Sequence, residues 1–217
     1  MGNDVELTVK PVLRGVFHLF AAFSSLGAGL VLVAMSPTLR VGFSAGVFAV
    51  ALTWLLAVSA LYHWPTWKPN VRRWLRRLDH ASIFLLIAGT YTPICLLALP
   101  PESGRSLLWM MWIGALLGML KSGLWAHAPK IVSAVVYVSF GWLAVGFLPT
   151  IFHAVSGLCF GLLVLGGVIY SLGALAYALR RPNPLPGILG YHEVFHVLVI
   201  LASLCHFIVV LLLVRES

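Results

Sequence analysis

The sequence predicts an all-α membrane protein, a single bundle of seven transmembrane helices with a cytoplasmic N-terminus and the C-terminus outside. Of its 217 residues, 61% are hydrophobic and only 9% are charged, and the mean hydropathy is +1.01. A soluble domain carries about 25% charged residues, so this chain lacks the polar surface that contact with water requires. Several uncharged apolar runs also reach the roughly 20 residues needed to cross a hydrocarbon core of about 30 Å.

Short connections, often marked by proline, separate the predicted spans, and none is long enough to hold a second domain. We therefore expect one domain over residues 1–217, with a short cytoplasmic tail at residues 1–12. The first span follows charged residues without a convincing cleavage site, which indicates an anchor helix and not a signal peptide. Lys121 falls near the end of the fourth span, where its side chain can reach the interface. The spans run approximately 13–35, 41–63, 79–99, 106–125, 130–150, 154–179 and 188–213.

The basic residues set the predicted orientation, because cytoplasmic connections of membrane proteins are enriched in lysine and arginine. Eleven of the fourteen basic residues fall on the N-terminal side of the bundle. This distribution explains the net charge of +8 without a nucleic-acid partner. The larger group is Lys10, Arg14, Lys68, Arg72, Arg73, Arg76, Arg77, Lys121, Lys130, Arg180 and Arg181, and the smaller is Arg40, Arg105 and Arg215.

The connector at residues 68–78 carries part of this charge in a helical pattern. Its arginines share one side of a helix, and its apolar residues take the other. Such a segment suits the cytoplasmic headgroup layer, either as a topological anchor or as a site of specific lipid regulation. The arginines are Arg72, Arg73, Arg76 and Arg77, and the apolar residues are Trp74, Leu75 and Leu78.

Polar residues of three spans are predicted to meet just inside the cytoplasmic boundary. His192 and His196 are spaced i, i+4 in span 7, so one face of that helix can hold a metal ion with both. Uncharged imidazoles within a bilayer still need polar partners. The topology brings His63, at the end of span 2, and Asp79, at the start of span 3, to the same depth, with Ser59 one turn before His63.

This set of residues suits a catalytic zinc site. Three imidazoles bind Zn²⁺ and leave one tetrahedral position for water, from which zinc generates hydroxide near neutral pH. We expect Asp79 to orient or deprotonate that water and Ser59 to hydrogen-bond to it or to a substrate oxyanion. Taken singly, Asp79 also suits an N-cap of span 3, and Ser59 a hydrogen bond to its own helix backbone. The predicted metal ligands are His63, His192 and His196, and the predicted catalytic residues are Asp79 and Ser59.

The remaining histidines are less suited to the site. His80 follows the predicted aspartate and points about 100° away from it, and His18 enters span 1 near the same face, so both are supporting candidates at best. His206 lies about 15 Å farther along span 7, too distant for the same ion. His127 and His153 fall in predicted loops and are assigned no role.

His192–His196 also matches H-E-x-x-H, a metalloprotease pattern in which the glutamate is the general base. An intramembrane protease would need a third ligand farther along the chain. The only histidine and the only carboxylate after the motif are His206 and Glu216, and His63 in span 2 is the better third ligand. The protease is therefore the less favoured interpretation.

Three stretches resemble the bacterial hemolysin III family, which belongs with the progestin and adiponectin receptors and more distantly resembles alkaline ceramidases. They are residues 59–63, 78–93 and 192–199, supported by Arg14-Gly15 and His18. The resemblance implies seven spans with the N-terminus inside, zinc on the three histidines named above, and a water held by the aspartate of span 3. Glu193 is a departure, since adiponectin receptors carry glutamine there, so the shared site does not require a glutamate base.

The resemblance implies a multi-pass protein of the bacterial cytoplasmic (inner) membrane that acts in membrane lipid homeostasis. From the site and this resemblance we expect a zinc-dependent hydrolase of a lipid amide or ester, with membrane lipids or fatty acids as partners. The alternative is a non-catalytic sensor of lipids or membrane fluidity with a structural zinc. A cytolytic pore former is disfavoured because no polar stripe runs through several spans.

Overall fold

The computed structural model describes residues 11–125 and 127–217, and it confirms the predicted all-α bundle. Within this part of the chain, seven helices are long and apolar enough to cross a membrane. The predicted tail at residues 1–12, including Lys10, lies almost entirely outside the described residues. The helices are α1 Val16–Ala34, α2 Leu39–His63, α3 Pro69–Ala98, α4 Pro101–Leu124, α5 Lys130–Ala154, α6 Gly157–Leu179 and α7 Tyr191–Glu216.

Helices α1 and α2 pack side by side along much of their length. Small residues allow this approach, since a Cβ added at Gly29 would lie 2.8 Å from the Cβ of Ala49. The Thr38 side chain caps α2 by accepting a hydrogen bond from the Val41 backbone N–H at 3.3 Å. The connection between the two helices is therefore short and well defined.

Helix α3 begins at Pro69, ten residues before the predicted start of span 3. Proline suits the first position of a helix, and from there the connector continues into the span without a break. The predicted alternative of Asp79 as an N-cap is therefore wrong, because Asp79 lies in the third turn of a continuous helix. Thirty residues extend about 45 Å, so α3 is longer than an apolar layer of about 30 Å, and we expect its charged first turns to project beyond that layer.

Helices α4 and α5 complete one side of the bundle. Gly118 of α4 faces the ring of Phe84, and an added Cβ would lie 2.2 Å from that ring. α5 is interrupted, because a 3₁₀ segment at Trp142–Phe147 separates Lys130–Gly141 from Leu148–Ala154. His153, which we expected in a loop, lies in the last turn of this helix.

Helix α7 contacts α1, α2, α3 and α6 and is the central element of the fold. Its close packing on α6 depends on Gly166, where an added Cβ would lie 2.4 Å from Nε2 of His206. On the outside of the bundle, large apolar side chains such as Leu30, Val50 and Leu117 are well exposed. Apolar exposure on this scale is typical of a surface that contacts lipid.

Candidate metal centre

Three histidines from α2 and α7 lie together at one end of the bundle. His63 is the last residue of α2, and His192 and His196 occupy the first two turns of α7. Nε2 of His192 lies 3.1 Å from Nε2 of His63, and one nitrogen of each of the three rings lies within 4.8 Å of the others. His192 and His196 are buried, and His63 is partly exposed.

The donor set and its spacing fit a zinc ion. Two nitrogens bound at about 2.0–2.1 Å to a tetrahedral zinc lie roughly 3.4 Å apart, close to the distance between Nε2 of His63 and of His192. Neutral imidazole is also a preferred zinc ligand. The three histidines could therefore form a metal site, and their assignment as ligands stays a prediction.

Asp79 and Ser59 lie beside the histidines. Oδ2 of Asp79 is 3.8 Å from Nε2 of His63, which is longer than a direct hydrogen bond. The Ser59 side chain, buried in α2, interacts with the Asp79 carboxyl group. The structure thus brings all five predicted site residues to one place, three helices contributing them.

His18 is much closer to the centre than the sequence indicated. Its ring stacks on that of His196, with centroids 3.8 Å apart and an interplanar angle of 7°, and it is buried. Neither of its nitrogens has a hydrogen-bond partner among the described residues. His80 lines the same cavity but is not part of the three-histidine group.

Gly15 explains how the start of α1 can lie against the end of α2. Its φ of +82° is in the left-handed region, and an added Cβ would lie 2.8 Å from the Trp64 backbone nitrogen and 3.1 Å from Cβ of His63. A larger residue would be strained and would push against His63. This glycine therefore helps to fix the position of one candidate ligand.

Glu193 is fully buried and is bound by the N-terminal segment and by the start of its own helix. Its Oε2 accepts a 2.8 Å hydrogen bond from the Gly190 backbone N–H, capping α7, and its Oε1 accepts one from Nε of Arg14. The backbone N–H of Val12 also donates to the Gly187 carbonyl, which fastens this segment to the loop before α7. Both carboxylate oxygens are engaged, an arrangement that does not suit the general base of an H-E-x-x-H protease.

If the three histidines hold zinc and the protein hydrolyses lipids, as the sequence predicts, we expect Glu193→Gln to keep its zinc and to release fatty acid within a few-fold of the wild-type rate. It should lower the thermal midpoint, because an uncharged amide weakens the contact with Arg14. Loss of a general base would instead reduce turnover by roughly 10²–10⁴-fold. Zinc content, melting and turnover are measured beside Glu216→Gln, which changes the same residue type at the other end of α7. A large loss of turnover with zinc retained would restore Glu193 as a base.

His206 and His127 remain outside the centre, as expected. Nε2 of His206 lies 3.2 Å from the Leu163 carbonyl of α6, so this histidine links α6 to α7. His206 also lines an apolar cavity next to the candidate centre.

Two cavities meet at the candidate centre. The site cavity contains the three histidines and Asp79. An apolar chamber lies beside it between α3, α5, α6 and α7, with walls that include Leu86, Trp142 and Leu163. Leu55, Ile83 and Phe195 line both spaces, so the two cavities are neighbours separated by shared side chains.

Four of the basic residues that predict the orientation in the membrane also line the site cavity. They are Arg14, Arg72, Arg76 and Lys130. The spacing of residues 72, 76 and 79 would have placed the two arginines on the face of Asp79 if the connector had been taken as part of α3. The predicted break at residue 79 hid this relation.

Comparison with known proteins supports the resemblance seen in the three sequence stretches. The family model described as Haemolysin-III related matches residues 7–207. The chain is 29% identical over 220 residues to Hemolysin-3 of Bacillus cereus, covering 100% of this chain and 97% of that protein. It is 33% identical over 165 residues to the Hemolysin-3 homolog of Bacillus subtilis (strain 168), covering 76% and 74%. It is 28% identical over 214 residues to the Adiponectin receptor protein of Drosophila melanogaster, covering 88% and 47%.

Proposed function

The chain belongs to the Haemolysin-III related family, and from this premise we propose that it is a zinc-dependent membrane hydrolase. Its substrate is an amide or ester of a membrane lipid, and its role is in membrane lipid homeostasis. The observation that carries the proposal is the meeting of His63, His192 and His196 beside Asp79 in one cavity. Three imidazoles with a free coordination position and a nearby carboxylate are what metal-assisted hydrolysis requires.

Each site residue has a distinct part in this proposal. His63, His192 and His196 hold the zinc, which when bound supplies Lewis-acid activation of water and of a carbonyl group near neutral pH. Asp79 orients the attacking water and takes its proton at a carboxylate oxygen, then returns the proton to the departing amine or alcohol. Ser59 holds the Asp79 carboxyl group in place.

The apolar chamber supports a lipid substrate. Its walls are almost wholly hydrophobic, and it adjoins the site cavity through Leu55, Ile83 and Phe195. An acyl chain in this chamber would leave its carbonyl group toward the histidines, and its burial would stabilise the complex by about 0.8 kcal/mol per methylene. A soluble substrate would gain nothing from such a chamber.

We place the end of the bundle that holds the site at the cytoplasmic face of the bacterial inner membrane. The basic residues support this orientation, because the members of the large group within the described residues lie at the site end and the small group at the other. The active site would then open toward the cytoplasmic leaflet.

A second candidate is a lipid or membrane-fluidity sensor in which the zinc is structural. It is favoured by the way the site links α2 to α7, two helices that otherwise meet over a short stretch. In that case deletion of the protein shifts cellular fatty-acid composition although the purified protein turns over no lipid.

The test is the incubation of purified protein with a bacterial lipid extract. Mass spectrometry then measures the free fatty acid that is released. We expect free fatty acid to accumulate with zinc-loaded protein, to stop after treatment with a chelator, and to resume when zinc is restored. Zinc-loaded protein that produces no more fatty acid than a protein-free blank contradicts the hydrolase. A signal that survives complete removal of the metal points to a contaminating lipase.

A further inference from the structure

Three of the cations around the site cavity form no salt bridge with a carboxylate among the described residues. Arg72, Arg76 and Lys130 line the cavity, and in the described part of the chain none of them lies within 4 Å of a carboxylate. Lys130 instead donates a hydrogen bond to the Tyr191 hydroxyl and lies over the rings of Tyr177 and Tyr191, at 4.8 and 4.6 Å from their centroids. Asp79 is the one carboxylate that the described lining contains. The mouth of the cavity therefore carries an excess of positive charge.

The arginines of the connector divide into two pairs in the structure, although the sequence predicted a single basic face. Arg72 and Arg76 face the cavity. Arg73 donates a hydrogen bond to Asn70, and the guanidinium of Arg77 lies 4.9 Å from the ring centroid of Trp74. Neither guanidinium of the first pair forms a hydrogen bond or salt bridge with a described residue, and Arg76 is near enough to Asp79 to attract its carboxylate. The second pair is engaged on the outer surface of the same turns.

Arg72 and Arg76 lie on the same helix as Asp79 and close to it in sequence. Arg76 lies one turn before Asp79 on α3 and Arg72 nearly two turns before it, about 5 and 10 Å along the axis. A guanidinium group presents a planar pair of N–H donors that matches the oxygens of a phosphate. Because α3 is longer than an apolar layer and its first turns are charged, we expect these donors at the depth of lipid headgroups.

We propose that Arg72, Arg76 and Lys130 form a phosphate-binding subsite, which makes the substrate class a lipid whose headgroup carries a phosphate. The inference rests on the proposed function for the presence of a lipid in the site cavity. The phosphate lies at the mouth, the scissile amide or ester lies beside Asp79, and the acyl chain continues into the apolar chamber.

Binding of dodecyl phosphate to the purified protein in a neutral detergent tests the subsite without requiring turnover. We expect the double variant Arg72→Gln with Arg76→Gln to bind at least about tenfold more weakly than wild type. The matched control, Arg73→Gln with Arg77→Gln, removes the same charge from the same helical turns and should bind as wild type does. Lys130→Gln, on another helix, should weaken binding as well, and zinc content and melting confirm that each variant is folded.

Two further ligands distinguish the possible sources of the phosphate. Dodecanol lacks the phosphate and should show no difference between the two double variants, and inorganic phosphate lacks the chain and should bind far more weakly than dodecyl phosphate. If both double variants lose the same affinity for dodecyl phosphate, general surface charge explains the effect and the proposal is overturned. Inorganic phosphate binding as tightly as dodecyl phosphate would overturn the lipid assignment.

The same measurements on metal-free protein separate this inference from the proposed function. We expect the difference between the two double variants to persist without zinc, because the arginines and not the metal bind the phosphate. A difference that disappears with the zinc assigns the phosphate to the metal and overturns the subsite. If the subsite binds as expected while the zinc-loaded protein releases no fatty acid, the hydrolase alone is contradicted.

Discussion

His196→Ala is expected to abolish stoichiometric zinc binding. The wild-type protein should be isolated with about one zinc per chain, as a site with three histidine ligands predicts. His196 is almost wholly buried between His18, His63 and His192, so no water-exposed side chain can take its place. Loss of a ligand should lower the affinity by more than the roughly 10- to 100-fold that loss of a partner orienting a ligand costs.

The chain offers a matched control on the same helix. His206 is also a buried histidine of α7, but it is hydrogen-bonded to the Leu163 carbonyl and lies outside the three-histidine group. We expect His206→Ala to lower stability and to keep its zinc. Metal analysis measures the stoichiometry, and the thermal midpoint with and without added zinc shows whether the metal stabilises the folded state, as a ligand specific for that state must.

Two outcomes would contradict the assignment. Wild-type protein that binds no zinc, under conditions where its histidines are intact, would remove the metal from the site altogether. Full zinc content in His196→Ala would show that the ion lies elsewhere. His63→Ala provides an independent check, because it removes the ligand contributed by α2 and leaves α7 unchanged.

The common depth of the site residues was predictable because it follows from the alternating direction of the spans. Successive spans cross the bilayer in opposite directions, so the end of span 2, the start of span 3 and the start of span 7 must lie at one end of the bundle. Residues 63, 79 and 192 are at those positions. Hydropathy and an i, i+4 spacing were sufficient to place them at one depth, whereas the adjacency of α2, α3 and α7 depends on how the helices pack.

The features that escaped prediction depend on contacts that no local pattern records. Arg14 and Glu193 are separated by 179 residues, and their pairing requires the segment before α1 to lie against the start of α7. The stacking of His18 on His196 depends on the rotation of α1 about its own axis. The start of α3 was placed too late because hydropathy detects the apolar part of a helix, whereas the backbone hydrogen bonds of α3 continue into its charged turns.

Asp79→Asn is expected to reduce the rate of fatty-acid release by roughly 10²–10⁴-fold, the range that a positioned general base contributes. Asparagine keeps the shape and the contact with Ser59 but cannot take a proton from water. Zinc content should be unchanged, because Asp79 lies 3.8 Å from Nε2 of His63 and is not among the three candidate ligands. Mass spectrometry of released fatty acid and metal analysis are performed on the same preparations.

Two companion variants make this result specific. Ser59→Ala should cost about tenfold in turnover, since it removes one hydrogen bond that holds the carboxyl group and not the proton acceptor itself. Glu102→Gln, a carboxylate change at the opposite end of the bundle, should leave turnover unchanged. Wild-type turnover in Asp79→Asn would exclude Asp79 as the base. Loss of zinc together with turnover would instead make Asp79 a ligand or a support of one, because a proton acceptor that does not touch the metal can be removed without releasing it.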